Sequence, residues 1–208
     1  MARIVVLAMV ALSGAACREP VKYPWMIVPG VRLGPFPAQA SEADLRSRFG
    51  VEVQAHSVPL GEGETVWGTV VFPDDPLRRI EIVWRDTTAR REMKTVRVEG
   101  DSSLWKLESR IGLGTTLFEL ERINGRPFKL AGFGWDQQGV VLSWNEGVLQ
   151  SSMKGVNLYL TPDPRHLNEA SYRRIAGDRE FSSDDGDVRA LEPRVGRMVV
   201  AFDQAGLR

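Results

Sequence analysis

The chain has 208 residues, and its hydrophobic share of 43% with six tryptophans is enough to form a core in one domain or two small ones. The 27 basic residues equal the 27 acidic residues, so the chain lacks the positive excess that a nucleic-acid partner requires. Because Cys17 is the only cysteine, an intramolecular disulfide is excluded, and burial of apolar surface must stabilise the fold.

The N-terminal segment is typical of an export signal. Arg3 precedes an apolar run over residues 4–16, and the run ends in small residues directly before Cys17. The run is shorter than the roughly 18 residues of a membrane-spanning helix. This arrangement resembles a bacterial lipoprotein signal, in which the cysteine becomes the lipid-bearing first residue of the mature protein. The resemblance implies a signal peptide over residues 1–16 and lipidation of Cys17.

A lipid on Cys17 would tie the chain to a bilayer, since each buried methylene of an acyl chain contributes about 0.8 kcal/mol. Arg18 at the next position resembles sorting to an outer membrane in a cell that has two membranes. We therefore expect an exported protein at the cell envelope, on the outer membrane or its periplasmic face. The alternative is ordinary cleavage after Ala16 or Gly14, which would leave a free thiol. Residues 17–29 show no hydrophobic period and are predicted to be a tether.

Two segments, residues 41–50 and 116–125, predict a pair of equivalent short helices. Each begins with a hydroxyl residue followed three positions later by an acid, the capping-box pattern that satisfies free amides at a helix start. Each ends in a glycine suited to the turn after a helix, and each follows an aliphatic-x-Leu-Gly sequence. Strand-like segments follow both and end at Trp84 and Trp144. The chain is therefore predicted to contain an internal repeat.

Alternating apolar residues and turn sequences predict the strands. Turns at residues 73–76 and 136–139 predict hairpins, and the turn at 145–147 leads into a further strand. The predicted strands are 23–28, 66–72, 77–84, 95–98, 128–135, 140–144, 148–152, 157–160 and 197–202. A helix is expected over residues 167–175, followed by a polar loop over 182–187.

This order predicts an α+β fold with two helix-plus-antiparallel-sheet repeats and a C-terminal helix-loop-strand extension. The predicted divisions are 30–106 for the first repeat, 107–160 for the second and 161–208 for the extension. Residues 31–160 resemble tandem-repeat beta-lactamase-inhibitor-protein-like domains and the small BamE-like outer-membrane lipoproteins. That resemblance implies a curved antiparallel sheet preceded by a helical pair, whereas one helix per repeat is predicted here. The string at 132–136 also looks like uncharacterised exported bacterial proteins, a likeness that implies no function.

The titratable residues predict neither a metal nor a cofactor. His56 and His166 have no second histidine or cysteine at metal-ligand spacing, and His56 is expected in a polar link after the first helix. The acidic loop at 182–187 lacks the ligand spacing of a calcium loop and is predicted to be a solvated turn. No Gly-x-Ser-x-Gly sequence occurs, and Gly112-Leu113-Gly114 lacks the third glycine of a dinucleotide site.

The aromatic residues are the remaining candidates for contact with a partner. Trp84 and Trp144 end core-patterned strands and are predicted to be structural. Trp135 lies beside glycines at a predicted hairpin turn, so Phe133, Trp135 and Asp136 are predicted to form the edge of a contact surface.

We expect a lipid-anchored, exported cell-envelope protein that acts as a non-catalytic binding or assembly module for a protein partner. Two alternatives stay open. One is an envelope hydrolase that uses His56 or His166 with a carboxylate. The other is a carrier of a small apolar ligand.

Overall fold

A computed structural model describes residues 24–61, 63–134, 138–167 and 169–202. It contains helices and several antiparallel sheets, so the α+β class is confirmed. The described strands are β1 (Met26–Val28), β2 (Arg32–Leu33), β3 (Phe36–Pro37), β4 (Val53–Gly61), β5 (Glu64–Val71), β6 (Ile80–Asp86), β7 (Arg91–Glu99), β8 (Lys106–Leu107), β9 (Lys129–Ala131), β10 (Val141–Ser143), β11 (Val156–Thr161), β12 (Glu180–Ser182) and β13 (Arg194–Ala201). The described helices are α1 (Glu42–Phe49), α2 (Leu117–Asn124), α3 (Leu149–Ser152), α4 (Glu169–Ile175) and α5 (Gly186–Arg189).

The largest sheet has six strands in the order β11-β13-β7-β6-β5-β4, and every neighbouring pair is antiparallel. Strand β13, predicted as part of an extension, lies between β11 and β7 and pairs with both along most of its length. The C-terminal strand therefore joins strands of both predicted repeats into one sheet. Two smaller sheets have the orders β3-β2-β1-β8 and β10-β9-β12.

Both predicted capping boxes are present. The Ser41 hydroxyl accepts a hydrogen bond from the Asp44 amide at 3.3 Å, and the Thr116 hydroxyl accepts one from the Glu119 amide at 3.2 Å. In each helix the acid also accepts a hydrogen bond from the amide of the capping residue, at 2.8 Å. Helix α2 ends at Gly125, whose φ of +77° is the left-handed conformation that glycine adopts without strain.

Three of the predicted local structures are wrong. Met26–Val28, within the predicted tether at 17–29, form strand β1, and Ile27 is fully buried in the core. In the predicted strand at 148–152, Leu149–Ser152 form helix α3 instead. The Asn124 side chain holds the start of this helix, since it accepts a hydrogen bond from the Leu149 amide and donates one to the Trp144 carbonyl. His56, expected in a polar link, lies in strand β4 (Val53–Gly61) at the edge of the large sheet. Most side chains of β4 are exposed, which explains why its sequence lacks an apolar alternation.

The acidic loop at 182–187 is more structured than the predicted solvated turn. Ser183 is fully buried, and its hydroxyl accepts a hydrogen bond from the Phe128 amide at 2.9 Å. Asp185 caps helix α5 by accepting hydrogen bonds from the amides of Asp187 and Val188. The loop therefore joins two elements of the fold through its polar side chains.

One core runs under the large sheet and contains Trp84, Trp105 and Trp144, so the structural roles predicted for Trp84 and Trp144 are confirmed. The Trp84 indole donates to the Thr69 hydroxyl at 2.8 Å, and that hydroxyl donates to the Glu42 carboxylate at 2.6 Å. These bonds attach the start of helix α1 to the sheet. Within the described residues, no helix has both the length and the apolar character needed to cross a bilayer.

Candidate functional site

The outer face of the large sheet carries a row of polar and aliphatic side chains. Residues paired between neighbouring strands lie on the same face of a sheet. Glu81 pairs with Arg97, Arg97 with Val199, and Val199 with Asn157, so these four side chains cross the outer face. Ile82 and its partner Val96, one position along, belong to the core on the opposite face.

One wall beside this face is the hairpin formed by β4 and β5. Only residues 69–71 of β5 pair with β6, so the rest of the hairpin leaves the plane of the sheet. The hairpin bends over the outer face, where the Pro59 carbonyl accepts a hydrogen bond from the Arg97 guanidinium at 3.1 Å. A Cβ atom at Gly68 would lie 2.3 Å from the Ile82 carbonyl oxygen, so this close crossing requires glycine.

Strand β10 and the residue before it form the opposite wall. An isolated bridge between Val140 and Tyr159 holds this wall against strand β11 at the edge of the sheet. The space between the walls is an open groove of about 980 Å³, here named the sheet groove. Its floor is formed by outward side chains of β6, β7, β11 and β13, and Leu60 and Leu142 lie on its two walls. The site therefore combines apolar walls with a polar floor.

Two β-bulges lie in strands that form the floor of the sheet groove. In β7, Lys94 is unpaired because Val83 pairs with Thr95 and Trp84 pairs with Met93. In β13, Gly196 is unpaired because Tyr159 and Leu160 pair with the residues on either side of it. Bulges re-aim side chains and occur often beside functional sites. Both Lys94 and its neighbour Thr95 line the groove as a result.

The cations of the groove fall into two groups. Arg97 contacts Glu81 at 3.8 Å and also pairs with Glu99, and Arg85 lies 3.7 Å from Glu92. These two arginines are neutralised by carboxylates of the fold.

Lys94 and Arg197 are less compensated. Lys94 makes no ion pair with any residue that the structure describes. The Arg197 guanidinium lies 3.8 Å from the centre of the Tyr159 ring, a cation–π contact, and 4.0 Å from a carboxylate oxygen of Glu99. The Arg197 Nε atom is buried without a hydrogen-bond partner in the described part of the chain. Lys94 and Arg197 are therefore positioned to bind an anionic group.

A smaller cleft of about 300 Å³ adjoins the sheet groove and contains His56. The His56 Nε2 atom lies 3.3 Å from the Glu81 carboxylate. Glu81 also accepts a hydrogen bond from Arg79 at 2.7 Å and lies 3.8 Å from Arg97. The structure thus brings one predicted histidine to a carboxylate, but that carboxylate already has two guanidinium partners.

The second histidine belongs to a cluster at the far end of β11. Ligand atoms of Asp163, His166 and Glu192 all lie within 4.8 Å of one another. Asp163 accepts hydrogen bonds from the guanidinium groups of Arg165 and Arg194, each at 2.6 Å. The side-chain hydrogen bond from Arg165 holds the pKa of Asp163 far below its ordinary value. Two positive charges on the buried carboxylate disfavour a metal ion there, and the cluster joins the 163–165 turn to β13.

The predicted contact residues do not form a surface in the described part of the chain. Phe133 is fully buried, so its predicted role at a contact edge is wrong. Close backbone contacts with the segment after α4 cover Phe133. The Phe133 amide donates to the Ile175 carbonyl at 3.0 Å, and the backbone at Gly132 approaches Gly177 so closely that a Cβ atom would lie 2.3 Å from the Gly177 carbonyl oxygen. Trp135, Asp136 and Cys17 lie outside the described residues.

Sequence reasoning missed the sheet groove. Its wall includes β4, which has no apolar alternation, and its floor depends on bulges that are defined only by strand pairing. Pro59, Gly61 and Gly63 were the available signal for a distorted hairpin.

No family model matches the chain, and neither the curated proteins nor the solved structures gave a significant match. The resemblances to lipoproteins and to tandem-repeat envelope domains therefore stay predictions.

Proposed function

We propose that this chain is an exported, lipid-anchored protein of the cell envelope that binds a protein partner at the sheet groove without catalysis. The single observation that supports this proposal is the open groove on the outer face of the large sheet, between the β4–β5 hairpin and β10. The signal-like segment over residues 1–16 and Cys17 support the proposed location.

The character of the groove favours a macromolecular ligand. Small-molecule pockets commonly measure about 300–1,000 Å³ and enclose most of their ligand. The sheet groove, at about 980 Å³, is at the upper end of this range and is open along the sheet. Interfaces between separately folded proteins are on the whole about as apolar as the rest of the protein surface, and the groove, with aliphatic walls and a charged floor, has this mixed character. A protein segment is therefore the occupant that fits best.

Site-specific cross-linking in the native host would test the groove as the binding site. A photoreactive phenylalanine analogue at Asn157, which is exposed on the groove floor, should give a discrete cross-linked product. The matched control is the same analogue at Val51, which is 84% exposed and lies away from the groove. Equal products from both positions, or a product from position 51 alone, would contradict the proposal.

The lipid anchor needs a separate measurement. Mass spectrometry of the N-terminal peptide from native material should show acylation of Cys17 and loss of residues 1–16. A Cys17→Ala variant should move from the membrane fraction to the soluble fraction, because the acyl chains that hold it are absent. An unmodified thiol in the wild-type protein would overturn the proposed location and leave the groove proposal standing.

A hydrolase is the second candidate function, favoured by the 3.3 Å contact between His56 and Glu81. In this scheme His56 would act as a general base toward water, with Glu81 orienting the imidazole. Wild type, His56→Gln and His166→Gln would be compared on ester, amide and phosphoester substrates. Activity that only His56→Gln abolishes would replace the binding proposal by the hydrolase. The carrier hypothesis has less support, because Trp84, Trp105 and Trp144 belong to the packed core.

A further inference from the structure

We infer that the sheet groove binds an extended acidic segment of the partner, in which two carboxylates contact Lys94 and Arg197 and an aliphatic side chain lies between them. This inference rests on the proposed function and specifies the chemistry of the partner.

The charge of the groove supports an acidic ligand. Among the residues that the structure describes, the charged side chains that line the groove are four cations and one carboxylate, in a chain whose total charge is zero. Two of the cations, Arg85 and Arg97, have carboxylate partners within the fold. Lys94 has no carboxylate partner among the described residues, and Arg197 has only a 4.0 Å contact with Glu99, which it shares with Arg97. Complementary charge across an interface gives specificity and a faster association rate.

Arg197 is oriented before a ligand arrives. Its guanidinium is held over the Tyr159 ring, and its side chain is 24% exposed. The contact with Glu99, at 4.0 Å, is too long for a hydrogen bond. A ligand carboxylate could therefore form the charge-assisted hydrogen bonds that the fold does not provide.

Lys94 faces the groove because it occupies the bulge in β7. A regular strand would place residues 94 and 95 on opposite faces. The bulge places both at the groove, and this makes an amine available at the end of the floor away from Arg197.

The register of the sheet defines the spacing of the two cations. Arg197 pairs with Glu99, which is five positions after Lys94 in β7. At about 3.3 Å per residue, the backbone positions of the two cations are therefore about 16 Å apart along the strand. Val199 pairs with Arg97 and therefore lies between the two cations. In an extended peptide, residues four apart share a face and are separated by about 13 Å, within reach of a long lysine side chain. The expected ligand pattern is acid-x-aliphatic-x-acid.

A synthetic peptide, Ser-Glu-Thr-Val-Thr-Glu-Ser with a fluorophore, tests this inference against the protein purified from the membrane of its native host in detergent micelles. Fluorescence anisotropy at low salt should show saturable binding. The same peptide with both glutamates replaced by glutamine should bind at least about ten-fold more weakly, because the charge-assisted contacts are lost. Lys94→Gln should weaken binding of the glutamate peptide by about five- to ten-fold, while Lys154→Gln, at an exposed lysine outside the groove, should not.

A charge reversal gives an independent measurement. The Lys94→Glu variant should no longer bind the glutamate peptide, but it should bind a peptide in which one glutamate is replaced by lysine. Thermal unfolding of each variant would show that the fold is intact, as expected for an exposed bulge residue. Equal binding of the glutamate and glutamine peptides, or binding insensitive to Lys94→Gln, would overturn the inference.

Lipid vesicles test whether a lipid headgroup, instead of an acidic peptide, occupies the sheet groove. Phosphatidylglycerol vesicles and phosphatidylcholine vesicles would be offered to wild type and Lys94→Gln. Binding to the anionic vesicles that depends on Lys94, without binding of the peptide, would overturn the peptide assignment in favour of a lipid headgroup. If cross-linking at position 157 persists while the peptide does not bind, the proposed function stands and this inference fails.

Discussion

The two helix-capped regions of the chain begin alike and continue differently. Both α1 and α2 have eight residues, a capping box and a terminal glycine. Helix α1 leads into four strands of seven to nine residues, whereas α2 leads into two three-residue strands and helix α3. A helix cap is satisfied within four residues, but strand length depends on the neighbour across the sheet. Similar local sequences therefore do not require similar sheets.

The two helices are also attached to the rest of the molecule by different contacts. Glu42 of α1 accepts hydrogen bonds from Thr69 and from the guanidinium groups of Arg46 and Arg90. Helix α2 buries Leu117, Leu120 and Asn124. Glu121 of α2 accepts hydrogen bonds from Ser183 and Arg189. Each helix is therefore attached through a carboxylate, but to different parts of the fold.

The largest expected effect concerns Phe133, in the second region. Phe133→Ala should lower the free energy of unfolding by about 3–5 kcal/mol, because a fully buried ring leaves a cavity. Urea unfolding followed by tryptophan fluorescence would measure the change. Phe118→Ala is the matched control, since that ring is 52% exposed and its loss should cost about 1 kcal/mol or less. Similar values for the two variants would contradict the burial of Phe133.

In the first region, Glu42→Gln should lower the free energy of unfolding by about 2 kcal/mol. The substitution leaves the partly buried Arg90 guanidinium without its carboxylate. Chemical denaturation at pH 7 would measure it, with Glu52→Gln in the turn after α1 as the control. A loss as small as that of the control would show that the network does not stabilise the first region.

The same network predicts a pH dependence. Burial raises the pKa of Glu42, but hydrogen bonds from Thr69, Arg46 and Arg90 outweigh it, so the pKa lies below its usual 4.5. A carboxyl group whose pKa is lower in the folded than in the unfolded state stabilises the protein at pH values above its unfolded-state pKa. This contribution is lost as the pH falls through the folded-state pKa. Wild type should therefore lose more stability between pH 6 and pH 3 than Glu42→Gln, as measured by thermal unfolding. Parallel pH profiles would refute this assignment.

The smallest effect tests the similarity of the two helix starts. Ser41→Ala and Thr116→Ala should each cost about 1 kcal/mol, because each removes one side-chain acceptor from a helix N-terminus. Denaturation midpoints of the two variants would be compared with Ser47→Ala, which leaves the cap intact. Losses that differ by more than a factor of two would show that the caps contribute unequally.

Short-range features could be predicted from the amino acids alone. The capping residues Ser41 and Thr116, the turn at 73–76 and the alternation before Trp84 each act within a few neighbouring residues. These features were enough to predict the α+β class and the burial of Trp84 and Trp144.

Long-range pairing produced the remaining features. Strand β13 pairs with residues about 40 and about 100 positions earlier in the chain. The local sequence of β13 does not identify these partners. The pairing of β13 with β11 leaves Gly196 in a bulge, the pairing of β6 with β7 leaves Lys94 in another, and close backbone contacts around Gly132 bury Phe133. The sheet groove exists because distant strands meet in one register, whereas caps and turns form from hydrogen bonds between near neighbours.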